Sequence, residues 1–174
     1  RSKPQSLLFS KSGSFFDFDI DDGDDDEAVF VTISSRKLND IVDVFPGRNL
    51  QVFTSGAEFA VTSNPVTPSN AKVAPQTSHG ALNVETQDVD GSTIFIDRNG
   101  KSIRDFVFSF NEDAYVTQDL SVLASHLITQ PVDMALLSGT QSDDANWVFF
   151  VNNDGKGVVL NTLRAQDITW FTRW

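Results

Sequence analysis

The chain has 174 residues, 40% of them hydrophobic, enough to bury one substantial core, so residues 1–174 read as a single globular domain rather than a disordered segment. It contains no cysteine, which excludes disulfides, thiolate metal sites and a cysteine nucleophile, and no apolar run approaches the length of a membrane span. The formal net charge of −11 gives a soluble, self-repelling surface and a poor grip on phosphates, though it suits a conduit along which DNA slides without sticking.

No signal peptide is visible, and a chain that opens at Arg1 reads as part of a longer protein. Leu7 to Ile20 is expected to form a β-hairpin, with Leu7-Leu8-Phe9-Ser10 and Phe15 to Phe18 flanking the turn Ser12-Gly13. Asp17 to Glu27 then holds eight of the 24 acidic residues. A helix-loop-helix calcium loop needs Gly at its sixth position and Glu at its twelfth; counted from Asp17 those places hold Asp22 and Ala28, so the stretch reads as a solvated acidic loop.

Ala28 to Ser34 reads as strand, with Asp24 to Glu27 able to open a short helical turn before it and Ser35 to Asn39 a turn after it. Ile41 to Phe45 reads as a strand ending at the turn Pro46-Gly47. Leu50 to Thr62 is a second hairpin about Ser55-Gly56. A loop over Asn64 to Asn70 leads to an edge strand, Lys72 to Gln76, limited in its pairing by Pro75. Ala81 to Thr86 is a weak strand ahead of the turn Asp88 to Gly91, and Ser92 to Ser109 is a third hairpin about Arg98-Asn99-Gly100.

Asp113 to Ile128 has the pattern of a helix: Thr117 as cap, an apolar stripe of Leu120, Leu123, Ala124 and Leu127, and Pro131 beyond the end. Val132 to Leu136 reads as strand, Ser138 to Ala145 as polar loop, and Asn146 to Thr162 as a fourth hairpin about Asn153-Asp154-Gly155. Asp167 to Trp174 alternates as a last strand.

The turn glycines Gly13, Gly56, Gly100 and Gly155 are spaced by 43, 44 and 55 residues, and the strands before the later hairpins repeat with them. Such a period predicts β-propeller blades, each an inner strand, a hairpin and an outer strand, with the short helix inserted before the last unit. The chain holds about three and a half to four blades, and propellers close with roughly four to eight, so it is expected to be part of a larger ring. A β-sandwich is the alternative all-β arrangement.

No catalytic constellation stands out. His79 and His126 are the only imidazoles; Ser78 beside His79 lacks the spacing of a serine triad, and there is no nucleophile elbow, phosphate loop, dinucleotide fingerprint or zinc pair. Asp143-Asp144 and the acidic loop offer carboxylates, but most sit in turns, where Asp serves the backbone. Trp147, Phe149, Trp170, Phe171 and Trp174 suit either the faces between blades or a sugar-stacking shelf.

Several motifs, in order, carry a resemblance. They are Phe9-Ser-Lys-Ser-Gly-Ser-Phe-Phe-Asp-Phe18, Asp24-Asp-Asp-Glu-Ala28, Leu50 to Val61, Val66-Thr-Pro-Ser-Asn70, Gln76-Thr-Ser-His-Gly80, Lys101-Ser-Ile-Arg-Asp105 and Ile168-Thr-Trp-Phe-Thr-Arg-Trp174. Together they resemble the tail tubular protein B, or tail nozzle, family of short-tailed bacteriophages and prophages. The resemblance implies a structural virion protein made in the bacterial host cytoplasm, with a propeller in each of six subunits. The ring would surround the DNA exit channel, help retain and eject the genome, touch DNA transiently, and meet the tail tube adaptor and tail fibres. It implies no enzyme, cofactor, metal or membrane contact. The alternative is a carbohydrate- or receptor-binding propeller module, and after it a propeller glycoside hydrolase.

Overall fold

A computed structural model describes residues 4–20, 24–35, 39–140, 144–166 and 168–174. The chain is all-β. In order the strands are β1 (Ser6–Phe9), β2 (Val29–Thr32), β3 (Ile41–Pro46), β4 (Leu50–Thr54), β5 (Glu58–Val61), β6 (Val73–Thr77) and β7 (Gln87–Val89). There follow β8 (Ser92–Ile96), β9 (Ile103–Ser109), β10 (Ala114–Asp119), β11 (Pro131–Leu137), β12 (Asn146–Asn152), β13 (Gly157–Leu163) and β14 (Ile168–Arg173). They form one two-stranded sheet, β1–β2, and three four-stranded antiparallel meanders, β3–β6, β7–β10 and β11–β14. No helix among the described residues is long and apolar enough to cross a membrane.

The sheets pack face to face in chain order. Ile33, Val52, Phe59 and Val61, with Leu7 and Phe9, join the first two sheets. Phe53 and Ala60 meet Phe95, Phe106 and Tyr115 between the second and third. Ile94, Ile96 and Ile103 meet Met134, Val148, Phe150 and Leu160 between the third and fourth. A strand in a middle sheet therefore sends successive side chains into two different cores, and β4, β5 and β8 are buried almost without interruption. The last sheet has one covered face, so β12 alternates between buried and open positions along Asn146, Trp147, Val148 and on to Asn152.

Three of the four predicted hairpins form. Gly100 and Gly155 adopt left-handed φ values of 62° and 80°, as their turns require. At the second hairpin the side chain of Thr54 does that work: its Oγ1 accepts from Ala57 N at 3.0 Å and donates to Ala57 O at 2.6 Å. The edge strand with Pro75 and the closing strand also form, as β6 and β14.

Three expectations are corrected. Leu7 to Ile20 is not a hairpin. Gly13 does turn the chain, at φ 79°, but β1 pairs with β2, and Phe15 and Phe16 stand 87% and 95% exposed. Val29 and Val31 offer the β-branched partners that Leu7 and Phe9 need to complete one covered face; Phe15 to Phe18 has no second sheet to lie on. Nor is Asp113 to Ile128 a helix. Its first half is β10, paired along its length with β9, because Tyr115 stacks flat on Phe106 at 4.6 Å between centroids and the alternating Tyr-Val-Thr suits a pleat. Only Ser125–Leu127 makes a single 3-10 turn, while Leu123, taken as part of an apolar stripe, is 94% exposed. Ala81 to Thr86 likewise contributes one isolated bridge, Ala81 to Asp97, and the strand is β7, reached through the residues read as a turn.

Candidate functional site

The polar groups that matter are concentrated where one sheet hands over to the next. Ser55, Arg98 and Asn153 each follow the second strand of a four-stranded sheet. Each donates its N–H to the carbonyl of Asp40, Gly80 or Gln130, at 2.9, 2.9 and 3.0 Å. The residues that follow those carbonyls, Ile41, Ala81 and Pro131, pair with Thr54, Asp97 and Asn152. These pairings put Asp43, Asn83 and Asp133 in equivalent places, inside Ile41-Val-Asp-Val, Ala81-Leu-Asn-Val and Pro131-Val-Asp-Met. Both aspartates sit at a register shift and accept the next backbone N–H, from Val44 at 2.8 Å and from Met134 at 2.9 Å. The second oxygen of Asp43 reaches across to the next sheet and accepts from both the N–H and the hydroxyl of Thr86, each at 2.8 Å.

Other buried charge is spent the same way. Glu58, fully buried, accepts from the Thr77 hydroxyl at 2.5 Å and from the backbone N–H of His79 at 3.2 Å. His79 thus enters through its main chain, with no hydroxyl held at its imidazole by Ser78. His126 is exposed at the 3-10 turn. A cleft of about 350 Å³ between the last two sheets is lined by Asp105, Gln118, Thr162 and Arg164. There Asp105 Oδ1 accepts from Gln118 N at 2.9 Å and Oδ2 from Arg164 Nη1 at 3.3 Å. The ion pair links the third sheet to the turn that follows β13.

Of the acidic loop, Asp21 and Asp22 lie outside the described residues. Lys11 makes an ion pair with Glu27, and the hydrogen bond it donates to that carboxylate holds the Lys11 ammonium above its ordinary range, against a smaller opposing effect of desolvation. Asp25 accepts from the Ser69 hydroxyl at 3.1 Å. Asp143 is also outside the described residues; Asp144 accepts from the N–H and hydroxyl of Thr140.

The predicted aromatic shelf is partly assembled. Register puts Leu137, Trp147, Asn161 and Trp170 in one row on the outer face of β11–β14, with Ala135, Phe149, Val159 and Thr172 in the next. Trp174 lies beside them, edge-on to Phe149 at 5.7 Å and over Gly157, where a Cβ would meet its ring at 3.0 Å. All three tryptophans of the chain therefore share one open face. Phe171 points the other way, into the core.

Sequence reasoning did not single out Asp43, Asp133, Glu58 or the Asp105–Arg164 pair. The repeated Val-Asp of β3 and β11 was the available signal. A comparison with family models matches none, and a comparison with curated proteins finds no match.

Proposed function

We propose that the chain acts by architecture, as a portion of a β-propeller in the tail nozzle of a short-tailed bacteriophage. The observation that carries this reading is the repetition of one four-stranded unit, each tied by an equivalent backbone bond, from Ser55, Arg98 and Asn153 to Asp40, Gly80 and Gln130. Glu58, Asp43 and Asp105 support it, because each accepts hydrogen bonds from backbone N–H groups at a turn or a sheet junction. The net charge of −11 fits a wall past which DNA slides, since few cations are offered to phosphates. In this reading six full-length copies ring the exit channel and meet the tube adaptor and fibres. Electron micrographs of the full-length gene product are expected to show six-fold rings, and antibodies against this chain should label the tail tip of purified virions. A product that stays monomeric and is missing from virions overturns the proposal.

The open tryptophan face favours a second reading, a carbohydrate- or receptor-binding module. It predicts binding on a glycan array that is lost with Trp147→Ala.

A further inference from the structure

The outer face of β11–β14 repeats, place for place, two faces that are covered elsewhere in the same chain. Phe53, Ile96 and Val151 are the residues just before the equivalent positions Thr54, Asp97 and Asn152, and all three point toward where the following sheet would lie. Phe53 and Ile96 are 0% and 1% exposed beneath that sheet; Val151 is 40% exposed. Asp133 repeats Asp43 down to the bond from its own next N–H. The Asp43 oxygen that reaches Thr86 has a counterpart on Asp133 with no hydrogen-bond partner among the described residues, and that side chain is open to solvent. In the same face Asn161, only 3% exposed between Trp147 and Trp170, has an Nδ2 donor with no acceptor among the described residues.

We propose that this face takes one more four-stranded antiparallel sheet of the chain's own kind, latched at Asp133 by a Ser or Thr placed as Thr86 is. The inference rests on the repeat reading proposed above and adds the surface and the residue that continue it. The β1–β2 sheet of a second copy does not fit the latch. Thr86 lies directly ahead of the first strand of its sheet. In β1–β2, Pro4 accepts from Ile41 N at 2.8 Å as Thr54 accepts from Ala81 N at 2.8 Å, which makes β1 the counterpart of a third strand. Among the described residues that sheet contains no first strand from which to present the residue.

The test appends a second copy of residues 78–124, which carries β7–β10 and Thr86, after Trp174 of the full chain. Because every tryptophan lies on the face in question, acrylamide quenching reads its cover directly. Quenching is expected to fall severalfold relative to the unextended chain. Asp133→Asn keeps the acceptor for Met134 N–H and removes the second one; in the extended chain it should restore most of the quenching, as should Thr86→Val in the appended copy. Unchanged quenching overturns the proposal, whether the appended residues fold elsewhere or stay protease-sensitive, because a face built for this sheet would order it. So does protection that grows in the unextended chain with its own concentration, which assigns the face to a second copy. Protection of that chain by soluble oligosaccharides overturns it too, assigning the face to a glycan. A missing ring or an unlabelled virion defeats the nozzle reading and leaves this result untouched.

Discussion

Gly80 shows how little room a sheet junction leaves. It holds φ at +78°, and a Cβ there would lie 2.6 Å from the carbonyl oxygen of Ser55. Its own carbonyl receives Arg98 N, so the backbone has no latitude to move away. Gly80→Ala is therefore expected to cost ~2 kcal/mol or more, from left-handed strain plus a backbone clash, and to lower the urea midpoint accordingly. Asp154 offers a different check. The hydrogen bond from the Lys156 ammonium, then the one from its backbone N–H, holds the Asp154 carboxyl below the ordinary aspartate value. A depressed carboxyl stabilises the fold above its ordinary range and loses that contribution as pH falls through the lowered value. Carboxyl NMR should find Asp154 titrating lower than an unpaired aspartate, and Lys156→Ala should move it back up toward the ordinary value. The pair is exposed, so the titration rather than the melting temperature is the quantity to follow.

At the scale of elements, turn chemistry is the part that can be read in advance. The tightest hairpin joins β7 and β8 through Asp90 and Gly91, at φ 53° and 75°, between the paired Val89 and Ser92. Gly91→Val forces a β-branched residue into that left-handed turn and should cost ~1–2 kcal/mol in chemical unfolding. Turns of this kind made the second, third and fourth hairpins legible, because the residues that bend the chain are adjacent to the strands they join. The first hairpin was misread for the converse reason: the true partner of β1 begins at Val29, beyond the acidic loop, and nothing local announces it. The helix was misread because four apolar residues at helical spacing outweighed Tyr115, Val116 and Thr117 just before them; strand pairing with β9 and the ring stack on Phe106 decide that segment. Phe106→Ala, which removes a ring stacked on Tyr115 and edge-on to Phe53, is expected to cost ~3–5 kcal/mol. The junction aspartates were legible only as Val-Asp repeated in β3 and β11, since what distinguishes them is a contact with a different sheet.

Over the whole molecule, stability is shared along the row of sheets. Phe53 lies between the second and third sheets, away from the last sheet, which carries the tryptophans. If the row melts as one unit, Phe53→Ala should shift the loss of tryptophan signal and the loss of strand circular dichroism by the same amount, ~3–5 kcal/mol by chemical denaturation. Separate transitions would show that the last sheet unfolds independently.

Each apolar cluster joins only a sheet and its successor in the sequence. A unit of this type can be duplicated or deleted in the gene while every remaining junction keeps its own residues, so length in such a protein is free to drift by whole modules. It also means that, on the ribosome, each sheet as it emerges finds its platform already built.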